Sequence, residues 1–386
     1  MMIMTKPKIL FLLTISAICF IFFKGVFCGG TPGEDKKKES FPEPKIKFAP
    51  KHYICYRTNE PIKIDGKLNE KGWQQIEWTD DFMDIEGNLK PKPTFRTRAK
   101  ILWDDEYIYF AAELEEPHVW ATLTQRDTVI FYDNDFEVFI DPDGDTHQYY
   151  EFEMNAFGTE WDLFLIKPYR DGGPAMSAWD IQELKTAVYV DGTINDPEDK
   201  DKGWSLEIAM PWKVLKECAH RETPPKAGDQ WRMNFSRVEW RTEVKNDEYR
   251  KIINPETGRS YPEDNWVWSP QGLINMHYPE TWGYVQFSDK FAGKGKDTFR
   301  MKKEEYAKWV LRQVYYKQRT HYRNFGKYTD NAEKLGLSDF ELEAYKLPPT
   351  IEITQNLFEA TLTSTDGKEK WIISVDGRIW RKAESK

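Results

Sequence analysis

Histidine, the side chain most often used for proton transfer near neutral pH, is scarce in this sequence. The chain has 386 residues and six histidines, and none of them forms an H-x-x-x-H pattern. It contains neither a C-x-x-C pair nor a G-x-S-x-G motif, so no zinc protease or hydrolase nucleophile is indicated. Two carboxylates are sufficient for glycoside hydrolysis, and the 64 acidic residues leave that chemistry open.

Three aspartates occupy alternate positions in the segment DPDGDTHQYYE. Asp141, Asp143 and Asp145 have the spacing at which oxygen ligands converge on Ca²⁺ in calcium loops. However, the sixth and twelfth positions hold Thr146 and Phe152 instead of glycine and glutamate. Since Asp-Gly is also an ordinary hairpin turn, the sequence leaves both a calcium site and a simple turn open.

Aromatic side chains are unusually abundant, with 16 Trp, 19 Tyr and 23 Phe making up 15% of the chain. Such residues favour strands and bind flat apolar surfaces. The stretch Asn265–Phe287 (NWVWSPQGLINMHYPETWGYVQF) alone holds three tryptophans. Trp266 and Trp268 share one face of an extended segment, so one ring can support the other. We expect Trp282 to lie in the core, where the last strand of the pattern begins.

Short strand-like runs separated by turn signals extend from His52 to Phe287, which is typical of a β-sandwich. We predict short helices at Glu70–Gln75 and Trp212–Cys218. Beyond the Gly/Lys-rich segment Phe291–Asp297, a helical period ends at Gly326, and an alternating segment with two Asp-Gly turns follows. The sequence therefore predicts a mainly β protein, a sandwich over residues 51–289 with a small C-terminal α+β appendage over residues 296–386.

The N-terminus has the pattern of an export signal. Ile9–Phe23 is an uninterrupted apolar run flanked by lysines, and it is short for a membrane span. We expect residues 1–28 to be a signal peptide and residues 29–50 a flexible linker. Cys28 raises the alternative of a lipid-anchored bacterial protein, so the chain is expected to be periplasmic, attached to the cell surface or secreted. Cys55 and Cys218 either pair or remain thiols.

Several motifs together resemble the family 9 carbohydrate-binding modules. PIKIDGKLNEKGW (Pro61–Trp73) is similar to the opening of that family, and AKILWDDEYIYFAAELEEPHV (Ala99–Val119) to one of its hairpins. DNDFEVFIDPD (Asp133–Asp143) and GWSLEIAMPWKVL (Gly203–Leu215) resemble two of its strands. The WSP of Trp268–Pro270 and the closing WGYVQF (Trp282–Phe287) also match. The resemblance implies an immunoglobulin-like or jelly-roll sandwich that binds glycans without cleaving them.

The resemblance also implies where a sugar would bind. Members of the family stack sugar rings between two aromatic side chains, whose positions fall here on Trp268 and on Phe131, with Tyr132 beside it. A strand carboxylate that accepts sugar hydroxyls falls on Glu137, and Trp266 can support Trp268. On the following strand the family can place an arginine where this chain has Glu153, next to Asn155. That replacement of a cation by an anion predicts a different ligand.

The expected function is non-catalytic capture of poly- or oligosaccharides for a bacterial polysaccharide-utilisation system. Lysine and arginine are dispersed, and the net charge is −9, so nucleic acid is not an expected partner. Three alternatives stay open: a scaffold with a protein partner on residues 296–386, a hydrolase or hydrolase-associated module, and a haem-binding sandwich that uses Met233, Met276 and His277. No cofactor other than the candidate Ca²⁺ is expected.

Overall fold

The computed structural model describes residues 39–337 and 340–382, and strands dominate them. The export signal and Cys28 lie outside the described residues. The strands are β1 His52–Arg57, β2 Met83–Asp84, β3 Thr97–Trp103, β4 Tyr107–Glu115, β5 Asp135–Asp141, β6 Tyr149–Asn155, β7 Glu160–Leu165, β8 Ala175–Met176, β9 Lys185–Asp191, β10 Gly203–Pro211, β11 Gln230–Glu239, β12 Thr242–Lys245, β13 Glu248–Lys251, β14 Asp264–Val267, β15 Gly283–Phe291, β16 Thr350–Ile353, β17 Phe358–Thr363, β18 Lys370–Ser374 and β19 Ile379–Arg381. The helices are α1 Lys71–Gln74, α2 Trp212–Leu215 and α3 Lys303–Phe325.

A β-sandwich forms the larger part of the described chain. Its strands hydrogen-bond in the order β8-β7-β6-β5-β11-β15-β1-β3-β4-β10-β9, and β14 pairs with β11 and β2. The pairs are antiparallel except at β1, which runs parallel to both β15 and β3. The two halves of this order face each other across an apolar core, in which Phe110 of β4 meets Phe235 of β11 with ring centroids 5.7 Å apart. The expected sandwich class is confirmed.

Alternation along the strands decides which side chains reach this core. In β5, Phe136 and Val138 are buried between the two layers, so Glu137 between them lies on the opposite face. The predicted core tryptophans of the scaffold motifs, and Trp282, are buried as expected; they are Trp73, Trp103, Trp204, Trp212 and Trp282. Cys55 is buried in the core and Cys218 is partly buried, and both are free thiols.

The C-terminal segment has the predicted helix and meander. Helix α3 ends at Gly326, which adopts a left-handed conformation with φ of 65°, the usual geometry of a glycine that terminates a helix. Strands β16 to β19 form a four-stranded antiparallel sheet against α3. Both predicted Asp-Gly turns lie between strands of this sheet. Among the residues that the structure describes, no helix combines the length and apolar character needed to cross a bilayer.

The prediction of a flexible linker is wrong for residues 39–50. The ring of Phe41 is buried against Tyr315 and Tyr316 of α3. The backbone N–H of Lys45 donates to the Gly272 carbonyl oxygen at 3.0 Å. Charge and proline content suggested a tether, but one buried aromatic ring is enough to fix this segment against the helix.

Buried ion pairs join α3 to the sandwich. Glu280, before β15, accepts from Arg170 at 2.9 Å and from the Tyr316 hydroxyl, and Arg312 lies 3.6 Å away. Burial alone would raise the pKa of Glu280, but the guanidinium groups of Arg170 and Arg312 lower it to about 2. A second pair joins Glu305 of α3 to Arg232 of β11 at 3.2 Å. The helix is therefore held by charge pairing as well as by apolar contact.

Candidate functional site

Strands β5, β6 and β7 align a row of functional side chains on the outer face of the sandwich. Their register places Glu137 directly opposite Glu153, and Glu153 opposite Trp161. Two residues before Glu153 on β6, Glu151 lies opposite Leu163 of β7. Since side chains in register share a face, these residues gather on one patch. Two glutamates directly opposite each other are normally unfavourable, so the pairing calls for a functional explanation.

These side chains line a cavity of about 460 Å³, which is within the usual range of small-molecule sites. Its wall is formed by carboxylates, aromatic rings and apolar groups from at least six separate regions of the chain. The lining residues are Ile85, Phe131, Glu137, Glu151, Glu153, Trp161, Leu163, Tyr169, Val238, Glu263, Asn265, Ile274, Asn275, Met276 and His277. We call this cavity the acidic pocket.

The floor of the acidic pocket consists of carboxylates with unused hydrogen-bonding capacity. Glu137 and Glu151 are only 4% and 5% exposed. Within the described chain, one oxygen of each, and the indole N–H of Trp161, have no hydrogen-bonding partner. Glu153 accepts from the backbone N–H of Phe131 at 3.0 Å. Buried polar atoms are rarely left unpaired, and these atoms are therefore available to a ligand.

Burial also changes the ionisation of these carboxyl groups. It raises the pKa of Glu137 from 4.5 to about 7. Burial, followed by the nearby charge of Glu137, raises the pKa of Glu151 and of Glu153 well above the usual range. The same two causes act on Asp135, whose carboxylate oxygen lies within 4.8 Å of those of Glu137 and Glu153. At neutral pH the floor can therefore both donate and accept hydrogen bonds.

One wall of the acidic pocket is the segment Ile274–His277, which lies between β14 and β15. The Trp282 indole donates to the Met276 carbonyl oxygen at 2.9 Å, and His277 Nδ1 lies 3.0 Å from the Tyr149 hydroxyl. The ring of Tyr169 meets His277 edge to face, with centroids 4.5 Å apart. Burial, and then the charge of Arg170, lowers the pKa of His277 to about 3, so this imidazole is neutral at physiological pH.

The predicted ligand-binding residues divide into those that lie at the acidic pocket and those that do not. Phe131, Glu137 and Glu153 line the acidic pocket. Tyr132 lies beside Phe131, with ring centroids 5.0 Å apart, and is 55% exposed. The structure brings these residues together, although their roles toward a sugar stay a prediction.

The expectation that Trp268 faces a ligand is wrong. Its side chain is 0% exposed, and its ring packs against Phe235 with centroids 5.7 Å apart. A Cβ at Gly283 would lie 2.5 Å from the Trp268 ring, so the glycine leaves the space that the indole fills. Trp266 is likewise buried, and the Arg237 guanidinium lies 5.1 Å from its ring centroid.

Asn155 has a structural role and is not placed to contact a ligand. Its amide donates to the Leu123 carbonyl oxygen at 2.9 Å and to the Asp133 carboxylate at 3.0 Å. Its carbonyl oxygen accepts from the N–H groups of Phe157 and Thr159. With its hydrogen bonds used in this way, Asn155 holds the turn between β6 and β7.

Sequence reasoning missed Glu151, Trp161, Tyr169 and the segment Ile274–His277 as parts of the site. The alternation of β6 was a signal for Glu151, which must share a face with Glu153. Trp161 lies on β7, a strand that the sequence analysis did not identify. The position of Ile274–His277 over the pocket depends on long-range packing, for which the local sequence carries no signal.

The three aspartates of the candidate calcium loop are close together but already hydrogen-bonded. Asp141 accepts from the N–H groups of Gly144 and Thr146, both at 2.9 Å. Asp145 accepts from His147 N–H at 2.7 Å and pairs with Arg378 of the turn before β19 at 2.8 Å. Their ligand atoms lie within 4.8 Å of one another, with Asp143 completing the group. The calcium site stays a prediction, and the loop also binds the C-terminal sheet.

The haem alternative loses one of its ligands in this fold. Met233 is buried in the core between the two layers, whereas Met276 and His277 line the acidic pocket on the outer face. The three side chains therefore do not meet around one group.

Comparison with known proteins supports the resemblance. Residues 64–225 match the model of the family described as carbohydrate family 9 binding domain-like. This range includes β2 to β10 and the floor of the acidic pocket. No curated protein gives a significant match.

Several solved structures are also similar to the chain. One is a Bacteroides uniformis protein proposed to bind carbohydrate, with 17% identity, a TM-score of 0.45 and coverage of 62% of this chain and 100% of that one. A family 9 carbohydrate-binding module from Caldicellulosiruptor kristjanssonii matches in complexes with glucose and with cellotriose, at 14% and 13% identity. Both complexes have a TM-score of 0.40 and cover 65% of this chain and 100% of theirs. On the evidence of the family model, residues 64–225 of this chain are similar to the carbohydrate family 9 binding domain-like family.

Proposed function

We propose that the protein binds glycans in the acidic pocket without cleaving them, and that it captures poly- or oligosaccharides for degradation by other proteins. The observation that carries this proposal is the pocket itself: unpaired, buried carboxylate oxygens lie beside partly exposed aromatic rings in the family-matched part of the chain. Pyranose rings present apolar C–H faces and peripheral hydroxyls, and this pocket offers a partner for each.

The proposal includes export. The apolar run Ile9–Phe23 supports it, and Cys28 supports a lipid anchor as one form of it. A glycan-capturing protein would act outside the cytoplasm, on chains too large to cross the membrane. Fractionation of the native host cells, with metabolic labelling by a palmitate analogue, distinguishes a lipoprotein from a freely secreted form.

Calorimetry against a panel of plant, algal and host glycans tests the binding proposal. Tyr169→Ala and Glu151→Gln should each weaken binding at least tenfold, because they remove a ring and a hydrogen-bonding oxygen from the pocket. The matched controls are Tyr306→Ala and Glu352→Gln, two exposed positions outside the pocket. Absence of any binding at millimolar glycan would refute the proposal, as would equal losses in the controls.

Hydrolysis is the competing activity for the same residues. Glu137 and Glu153 are paired carboxyl groups in one cavity, which is the minimum that a glycosidase requires. Assays for reducing-sugar release, run on each glycan that binds, separate the two functions. We expect the wild-type protein to release no more reducing sugar than the Glu137→Gln variant does. Release that the variant loses would show that the protein is an enzyme.

A further inference from the structure

The acidic pocket has an unusual charge balance. Glu137, Glu151, Glu153 and Glu263 all line it, and the lining contains neither lysine nor arginine. The imidazole of His277, the remaining basic group, is held neutral by its burial beside Arg170. The lining therefore carries acid groups with no internal counter-charge.

Two cations outside the pocket lining are already engaged in other contacts. The guanidinium of Arg170 donates to Glu280 at 2.9 Å and to the His277 carbonyl oxygen at 3.3 Å. Lys251, from the β12–β13 hairpin, lies over the Trp240 ring, with its Nζ 3.3 Å from the centroid. Neither belongs to the pocket lining, and Lys251 interacts only with Glu263 among the lining carboxylates, so within the described chain Glu137, Glu151 and Glu153 have no cation beside them.

Like charges repel strongly in a partly desolvated site, and this repulsion keeps these carboxyl groups partly protonated when no ligand is bound. A ligand that brings a positive charge with several N–H donors relieves this repulsion and pairs the free oxygens of Glu137 and Glu151. A neutral sugar offers only hydroxyls, and an anionic sugar adds to the repulsion. A bare metal ion would not need the partly exposed rings of Phe131, Trp161 and Tyr169 around it.

We infer that the acidic pocket selects glycans with a free, protonated amino group, such as glucosamine units, over neutral sugars, and rejects uronic and sulfated sugars. This inference rests on the proposed function and narrows its ligand class. The ammonium group lies against Glu137 and Glu151, and the sugar ring contacts the aromatic wall. A cavity of about 460 Å³ accommodates one or two sugar residues.

Calorimetry with matched ligands tests this preference on the full chain at pH 6.5 with EDTA present. The glucosamine trimer and its N-acetylated form differ at the amino groups, where acetylation removes the charge; cellotriose and a glucuronate oligosaccharide complete the set. We expect the glucosamine trimer to bind at least tenfold more tightly than the N-acetylated trimer and cellotriose, and the glucuronate chain not to bind.

Two isosteric variants locate the preference. Glu137→Gln and Glu151→Gln should each reduce the ratio of glucosamine to cellotriose affinity several-fold, whereas Glu352→Gln should leave it unchanged; thermal melting confirms that each variant is folded. Equal binding of the charged and neutral trimers overturns the inference and leaves the proposed function standing. Absence of binding by every ligand here and in the wider panel overturns both. An amine preference that survives in both variants places the charge site elsewhere and also overturns the inference.

Discussion

At the scale of single residues, Trp268 shows how a binding motif can become part of a core. The resemblance places a ligand-facing ring there, but the indole fills a space that Gly283 leaves open on the neighbouring strand. The aromatic contacts of a sugar site have to come from other positions, and Phe131, Trp161 and Tyr169 are available in the pocket lining.

Replacing Trp268 should therefore affect stability and not ligand contact. We expect Trp268→Ala to lower the free energy of unfolding by about 3–5 kcal/mol, because a large, fully buried side chain is removed and a cavity remains. Urea denaturation followed by fluorescence measures this loss. A variant of wild-type stability that has lost glycan binding would restore Trp268 as a ligand contact.

The second residue-scale prediction concerns pH and Glu137. Burial raises the pKa of this carboxyl group from 4.5 to about 7 in the folded state. Between these two pH values the folded protein binds more protons than the unfolded chain. The stability that the Glu137 carboxyl group contributes is therefore fully present below pH 4.5 and is lost as pH rises through about 7. The loss amounts to at most about 3 kcal/mol.

The difference in stability between wild type and Glu137→Gln isolates this effect. Asp135, Glu151 and Glu153 titrate in both proteins, and because the charge of Glu137 raises their pKa values, their coupling to it acts in the same direction as the titration of Glu137 itself. We expect the variant to gain in stability relative to the wild type between pH 5 and pH 8, as measured by urea denaturation at each pH. A difference that does not vary with pH would mean that Glu137 titrates normally.

At the scale of secondary structure elements, alternation and turn signals predicted most of the strands. β1 and β11 have the bounds that the sequence indicated, and β5 and β6 surround the DPDGD turn as expected. β7 was missed because Trp161, Leu163 and Phe164 place apolar groups on both faces: one faces the core and the other the pocket. The register of Glu137, Glu153 and Trp161 is a pairing between strands, which no local pattern specifies.

The contact between α3 and the segment before β15 depends on Glu280. Glu280→Gln leaves the buried guanidinium of Arg312 without its carboxylate partner and weakens the pairing of Arg170. We expect a loss of about 3–5 kcal/mol at pH 7, measured by urea denaturation. Because the pKa of Glu280 is lowered to about 2, its contribution is present above pH 4.5 and is lost as pH falls toward 2.

The matched control for this prediction is Glu352→Gln on β16, an exposed carboxylate that should change stability by less than about 0.5 kcal/mol. The stability difference between wild type and Glu280→Gln should shrink steadily from pH 5 to pH 2. A variant as stable as the wild type at pH 7 would contradict the importance of this ion pair.

At the scale of the whole molecule, the C-terminal segment is more closely integrated than its sequence suggests. The sequence indicated a Gly/Lys-rich segment followed by a small appendage, but local patterns do not reveal which surfaces meet. In the structure, residues of this segment supply partners to buried groups of the sandwich. Glu305 pairs with Arg232 and accepts from the Tyr284 hydroxyl at 2.8 Å. Arg319 pairs at 2.6 Å with Asp171, whose side chain is fully buried.

Deletion of residues 296–386 should therefore destabilise the remaining sandwich. It would expose the apolar surface that α3 covers and leave the buried Arg232 without its carboxylate partner. Asp171 would lose Arg319 and Glu280 would lose Arg312, so that Arg170 alone would pair with both carboxylates. Each such loss costs several kcal/mol, and together they rival the whole stability of a typical domain. We expect the truncated chain to be insoluble or to lack a cooperative thermal transition by circular dichroism.

Supplying residues 296–386 as a separate chain during expression provides the control, because restored partners should restore solubility and the thermal transition. A truncated chain that melts cooperatively at the wild-type temperature would contradict this integration and would identify the segment as a separable module with a surface free for a protein partner. The outcome also determines whether a pull-down with and without residues 296–386 is interpretable, since loss of a partner means nothing if the sandwich has unfolded.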